Sequence, residues 1–141
     1  MKEHIVSHLV KSEDLNHHGT LFAGRTSEWL VEAAFIAAAA AHGHPENILC
    51  INVHGFTFKR PVPKGDVFTI HSRVVKVGTT SLTVYVNAIS EINQTHHVDG
   101  FITFVCVDSN TKEKISHGIT MDEPKNEFER NAREKASKLT F

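Results

Sequence analysis

The sequence predicts an α+β fold in which an antiparallel sheet wraps one long helix, and three observations predict it. A single helical segment, residues 24–42, is apolar on nearly every side. Four strand-like runs follow it, separated by turn residues rather than by further helices, which excludes alternating β–α units. The 141 residues are 40% hydrophobic, enough for one core and one domain. The division this suggests is a main domain over 1–121 and a C-terminal helical tail over 122–141.

Each element has its own signal. Residues 4–10 (HIVSHLV) alternate loosely and read as a first strand. The polar stretch SEDLNHHG at 12–19 reads as a turn. The helix that follows carries Arg25, Thr26, Ser27 and Glu28 in its first turn and WLVEAAFIAAAAA over 29–41, where the many alanines allow a sheet to approach closely. Gly43 supplies a left-handed stop and Pro45 prevents continuation. Strand runs follow at 48–62, 67–77, 81–92 and 98–108, with a hairpin turn at 78–80 and a final run apolar on both faces, as a central strand would be. In the tail, Phe128, Ala132, Ala136 and Leu139 recur at helical spacing over 123–139. A sheet curled round one helix leaves edges to cover, which points to assembly with further copies.

Charge and motifs remove several functions. Fifteen Lys and Arg face sixteen Asp and Glu, a formal charge of −1, so neither nucleic acid nor an anionic membrane is an expected partner. No apolar run approaches the roughly 18 residues that span a bilayer, and the first twenty residues lack a secretory pattern, so the expected location is the cytoplasm. Cys50 and Cys106 read as buried thiols of a reducing compartment. The eleven histidines form no HExxH, and no metal site is expected; His42 and His44 make an HxH at the helix end that reads as adventitious. There is no GxSxG elbow, P-loop or GxGxxG, which disfavours serine hydrolysis, nucleotide hydrolysis and a dinucleotide cofactor. No cofactor is expected.

Candidate chemistry centres on Glu32, the one ionisable residue between Trp29 and Ala41. A carboxylate in so apolar a helix is costly unless it is paired, protonated or beside a water-filled cleft. Chains keep such groups at sites, and also as structural partners of a cation such as Arg25 or of a neighbouring subunit. Glu28, one turn earlier, lies close to the helix start, where a negative charge is favoured on structural grounds alone. Gly24 sits at the helix start, where free N–H groups would polarise a thioester or ester carbonyl. Asn16 either orients a water or simply forms the turn. Lys59, Arg60 and Lys64, with Arg73 and Lys76 on the next strand, either hold the phosphates of a nucleotide-like ligand or form a solvated rim.

The segments EDLNHHGTLFAGRTSEWLVEAAFIAAAAAHG (13–43), VHGFTFKRPVPKGD (53–66) and VVKVGTTSLTVYV (74–86) together resemble the hotdog-fold acyl-CoA thioesterases, in the branch of cytosolic acyl-CoA hydrolases. The resemblance runs in order over roughly residues 4–110. It implies a hotdog fold, dimers joined sheet edge to sheet edge, often a trimer of dimers, and hydrolysis of acyl-CoA at the dimer interface. Carried over by position, Asn16 matches the active-site Asn that places the thioester or water, and Gly24 the glycine whose N–H faces the thioester oxygen. Lys59, Arg60 and the turn Gly78, Thr79, Thr80 and Ser81 fall where the family meets CoA. The family's usual catalytic carboxylate position is Val31 here, and the acid beside it in many members is matched by Glu32. Ala23 stands before Gly24 where the family has a glycine pair, and Thr79 replaces the usual Arg. Glu32 as general base is therefore the first reading and a non-catalytic acyl-CoA binder the second. A third is a hydroxyacyl-thioester dehydratase with His54, although the His-x-Pro context of such enzymes is absent.

Overall fold

Leu82, Val84, Val86 and Ala88 are buried and alternate with Thr83, Tyr85, Asn87 and Ile89. That period of two sorts the sheet into an inner face toward the long helix and an outer face toward the tail. In the computed structural model, which describes residues 1–140, the elements are β1 (His4–Leu9), α1 (Ala23–His42), β2 (Ile48–Phe58), β3 (Val67–Val77), β4 (Ser81–Ser90), β5 (His96–Cys106) and α2 (Glu127–Ser137). The five strands form one sheet in the order β1-β3-β4-β5-β2, every pair antiparallel.

Helix α1 lies on the inner face. Trp29, Leu30, Ala33, Ala34, Ala37 and Ala38 are buried against Phe68, Ile70, Val74, Leu82, Ile102 and Phe104. The alanines let the backbones approach closely enough for Ser72 Oγ on β3 to donate to the Ala33 carbonyl at 3.1 Å, inside the core. At its end Gly43 takes φ +89° and its N–H caps the Ala39 carbonyl at 2.7 Å.

The helix is not enclosed as its apolar sequence suggests. Its other half, with Glu32 and Ile36 exposed and Val31 and Phe35 half-buried, is open in the single chain. Leu49, Ile51 and Val53 on β2 are likewise 41, 45 and 44% exposed. Apolar pattern reports that a residue is to be covered, not that its own chain covers it. Cys50 lies on this edge strand and is exposed, against the expectation of a buried thiol, whereas Cys106 is buried. Strand β2 also stops at Phe58, before the Pro61 that cannot donate to a ladder, and β4 at Ser90. Helix α2 starts at Glu127, capped by Asn126, whose side chain accepts from the Glu129 N–H.

On the outer face, Ala132 and Ala136 of α2 pack on Val75, flanked by Tyr85, Phe101 and Leu139. So small an apolar stripe is supplemented by charge. Glu129, 2% exposed, accepts from Arg73 at 2.8 Å and from Arg133 at 2.7 Å. Arg73 also reaches Glu3 at 3.2 Å, and Lys76 Nζ donates to the Leu139 carbonyl at 3.4 Å. Arg73 and Lys76 are therefore tail anchors on the outer face, which answers the phosphate reading for those two. Tyr85 donates to Asp99 at 2.8 Å, and burial pushes its phenol far up from the ordinary value, with the Asp99 contact adding to the rise.

Strand β2 carries two irregularities. At the second, Val53 faces Ile102 and Phe56 faces Gly100, so two residues, His54 and Gly55, oppose the single Phe101. Gly55 adopts φ +105°, and a Cβ on Gly100 would lie 2.4 Å from the Gly55 carbonyl oxygen. Gly100→Ala is expected to cost about 1–3 kcal/mol by overpacking against backbone that cannot swing aside, read as a lowered urea midpoint at unchanged m. A second prediction concerns Glu129. Burial disfavours its charge, but the Lys125 N–H, Arg133 and Arg73 outweigh that and hold its pKa below the ordinary 4.5. Its stabilisation is therefore complete above about pH 4.5 and lost as pH falls through the depressed folded value. Glu129→Gln should lose about 2 kcal/mol at neutral pH, less than a fully buried pair because Arg73 and Arg133 keep other acceptors. Urea melts at pH 7 and pH 3 should show the wild type losing the larger share on acidification.

Candidate active site

The chain enters α1 through a tight turn. Asn16 and Thr20 exchange backbone and side-chain bonds: Asn16 N–H donates to the Thr20 carbonyl at 2.7 Å, and Asn16 Oδ1 accepts from the N–H groups of His18 at 2.8 Å and Thr20 at 3.2 Å. Asn16 Nδ2 donates to Thr20 Oγ1 at 3.1 Å. Asp14, only 4% exposed, accepts from the Lys11 N–H at 2.9 Å and pairs with Arg25 Nε at 3.3 Å. Its carbonyl takes the Phe22 N–H. Asp14 thus ties the loop to the helix, a role missed in the sequence although its spacing from Lys11 is that of a local cap.

The helix begins at Ala23, one residue earlier than the sequence predicts, so Gly24 is the second residue of its first turn. The first intrahelical bond is from the Thr26 N–H to Phe22, which leaves the N–H of Gly24 without a helical acceptor. The Phe22 ring lies over Gly24, 2.5 Å from where a Cβ would stand, so a side chain there collides with the ring that lines the helix start.

Gly24, Ser27, Glu28, Val31, Glu32 and Phe35 line one open groove of about 560 Å³ along the uncovered side of α1. The groove joins Gly24 and Glu32. Arg25, the cation most able to claim Glu32, bonds Asp14 and Glu28 instead, and among the described residues Glu32 makes no ion pair or hydrogen bond. Asn16, Lys59 and Arg60 line a different cleft of about 320 Å³, with Phe58, Pro61 and His97. Lys59 pairs loosely with Asp99 at 3.8 Å, and buried His97 is held between Thr95 Oγ1 and the Arg60 carbonyl.

The remaining turn lies far off. Lys59 N–H donates to His97 at one end of β5, while Cys106 N–H donates to Thr80 at the other. The nine intervening steps of strand separate Lys59 from the turn of Gly78, Thr79, Thr80 and Ser81 by about 30 Å. One chain therefore does not bring Asn16, Glu32, the Lys59-Arg60 pair and that turn round a single point. His54 is also apart. It bonds Thr103 Oγ1 at 2.7 Å on the outer face, with the sheet between it and α1, so it does not pair with Glu32. Burial lowers its pKa, and Lys76 lowers it further.

The sequence profile of the thioesterase superfamily matches residues 18–95, just over half the chain. The chain belongs to the thioesterase superfamily. Among curated relatives, the uncharacterized acyl-CoA thioester hydrolase YkhA of Bacillus subtilis (strain 168) is 34% identical over 70% of this chain and 59% of its own length. The acyl-CoA thioester hydrolase YciA of Salmonella typhimurium is 36% identical over 58% of this chain and 60% of its own. The chain thus aligns with about three-fifths of the length of these relatives. A solved hexameric acyl-CoA thioesterase superposes with TM-score 0.84 at 27% identity, over 96% of this chain and 86% of that one. The hotdog expectation holds.

Asp14 gives a check on how the loop before α1 is held. Asp14→Ala should cost about 1–2 kcal/mol, since it leaves a buried N–H and one side of Arg25 without an acceptor. Hydrogen exchange at the amide of Lys11 should quicken more than exchange in the sheet.

Proposed function

We propose that this chain hydrolyses acyl-CoA thioesters to free acid and CoA, in the cytoplasm, at a site completed by a second copy. The single observation that carries the reading is that Gly24 and Glu32 share one groove while Glu32 keeps its carboxylate unpaired and open. In this reaction Glu32 takes a proton from water as the water oxygen bonds to the thioester carbonyl carbon. The displaced carbonyl electrons move to the oxygen, which the Gly24 N–H and the positive end of α1 receive. Collapse breaks the carbon–sulfur bond, and the proton on Glu32 passes to the sulfur. Val31 and Phe35 give the acyl chain an apolar wall.

The separation of Asn16, Lys59 and Arg60 from this groove supports a shared site, with these groups coming from another protomer. The exposed apolar edge of β2 supports pairing of two copies edge to edge, and the hexameric relative supports a trimer of such dimers. A second reading, an acyl-CoA binder without turnover, rests on Val31 standing where the resembling enzymes carry their acid.

The two readings separate on Glu32→Gln, with thiol release measured across short to long acyl-CoAs. Hydrolysis predicts a fall in kcat of about 10²-fold or more at similar KM, and a smaller loss for Glu28→Gln. Unchanged turnover in Glu32→Gln would remove Glu32 as the base. Binding without thiol release in the wild type would establish the carrier.

A further inference from the structure

The open groove on α1 changes character along its length. Gly24, Ser27 and Glu28 line its N-terminal half, and Val31 and Phe35 its C-terminal half, with Glu32 beside Val31. Helical side chains lean toward the N-terminus, so Glu32 covers the turn before it, on the polar side. A thioester carbonyl served by Glu32 and the Gly24 N–H therefore lies in the polar half. The acyl chain then runs the other way, over Val31 toward Phe35, because only that half offers apolar contact.

Phe35 closes that direction. Its ring is half-buried and meets Phe104 of β5 edge to face, with centroids 5.9 Å apart and planes at 73°. Phe104 has no exposed surface and belongs to the main core. The Phe35 ring is thus braced from beneath, and swinging it aside would forfeit the contact and open a void in a close-packed interior. One turn further along the same side of the helix stand Ala38 and Ala39, which carry no bulk. Phe35 is the last large side chain on this strip before His42 at the helix end.

We propose that Phe35 is the specificity-determining residue of this groove, an end wall that selects acyl groups of about four to six carbons over longer ones. This selection rests on the hydrolytic reading of the groove. Four residues separate Val31 from Phe35, about 6 Å of rise, which matches an extended chain of about five carbon atoms. Each methylene laid against Val31 and the ring is worth about fourfold in binding. A longer chain meets the ring edge and either bends back or lifts its carbonyl away from Glu32.

The test is thiol release by the full chain on saturated acyl-CoAs from two to sixteen carbons. In the wild type, kcat/KM should peak between the butyryl and hexanoyl esters and stand at least about tenfold lower at dodecanoyl. Phe35→Ala opens the groove over Ala38 and Ala39, and its peak should move about four carbons longer, the equivalent of one 5.4 Å turn. A wild-type peak at dodecanoyl or beyond overturns the wall, and so does an unchanged profile in the variant. A loss in Phe35→Ala that is uniform over all lengths is a packing effect and also overturns it. Phe35→Leu keeps an apolar contact with Phe104 and replaces the Ala variant if that does not fold, with a smaller shift in the same direction. A wild type that releases no thiol from any ester condemns the hydrolytic reading. Calorimetric binding of the same series then decides the wall by itself: affinity should rise to about six carbons and go no higher, and a steady rise through dodecanoyl, or no binding at any length, overturns it.

Discussion

The alanine seam of α1 is the constraint on which the other features depend. Ala33, Ala34, Ala37 and Ala38 bring the helix backbone close enough to the sheet for Ser72 to bond the Ala33 carbonyl. Close packing of this kind admits no rotation of the helix about its axis without a clash, because interiors are packed as densely as organic crystals. With the buried side fixed, Val31, Glu32 and Phe35 have to face outward, and the first turn has to present Gly24 beside them. The geometry of the candidate site is thus a by-product of small residues on the opposite side of the helix.

That arrangement leaves half of α1 and the edge of β2 incomplete in one copy. An apolar helix side and an unpaired strand edge next to each other are unstable surfaces for a free chain and natural ones for an assembly. The same incompleteness separates the candidate residues, because the groove of Glu32 and the cleft of Asn16, Lys59 and Arg60 open in different places. A crevice formed between copies would make activity depend on association, a form of control that needs no separate regulatory site.

Much of the fold is legible in the sequence. The long helix announces itself by Gly43, Pro45 and a run too long for a strand, β3 and β4 by strand-like runs flanking a turn, and β5 by a run apolar on both faces. What pattern conceals is which side a residue serves. Cys50 lies in an apolar run yet is exposed, because that run belongs to an edge strand whose own chain supplies a neighbour, β5, on one side only. Arg73 and Lys76 read equally as phosphate-holding cations or as a solvated rim, but the outer face on which alternation sets them is occupied by α2. The importance of Glu32 is legible, since one charge among thirteen residues stands out. That of Asp14 is not, because its tie to Arg25 joins residues 11 apart in sequence across the loop and the helix start, which no local period encodes.

The bulge at His54 and Gly55 has a further consequence. By adding one residue to β2 it restores Phe56 to the inner face and turns Lys59 toward Asp99 on the other. Side-chain direction in a strand flips with every residue, so deleting one residue here would send the Lys59 ammonium through to the opposite surface. The loop-ward cation is therefore addressed by chain length rather than by residue type, and an insertion or deletion, not a point substitution, is the genetic change that would re-aim it.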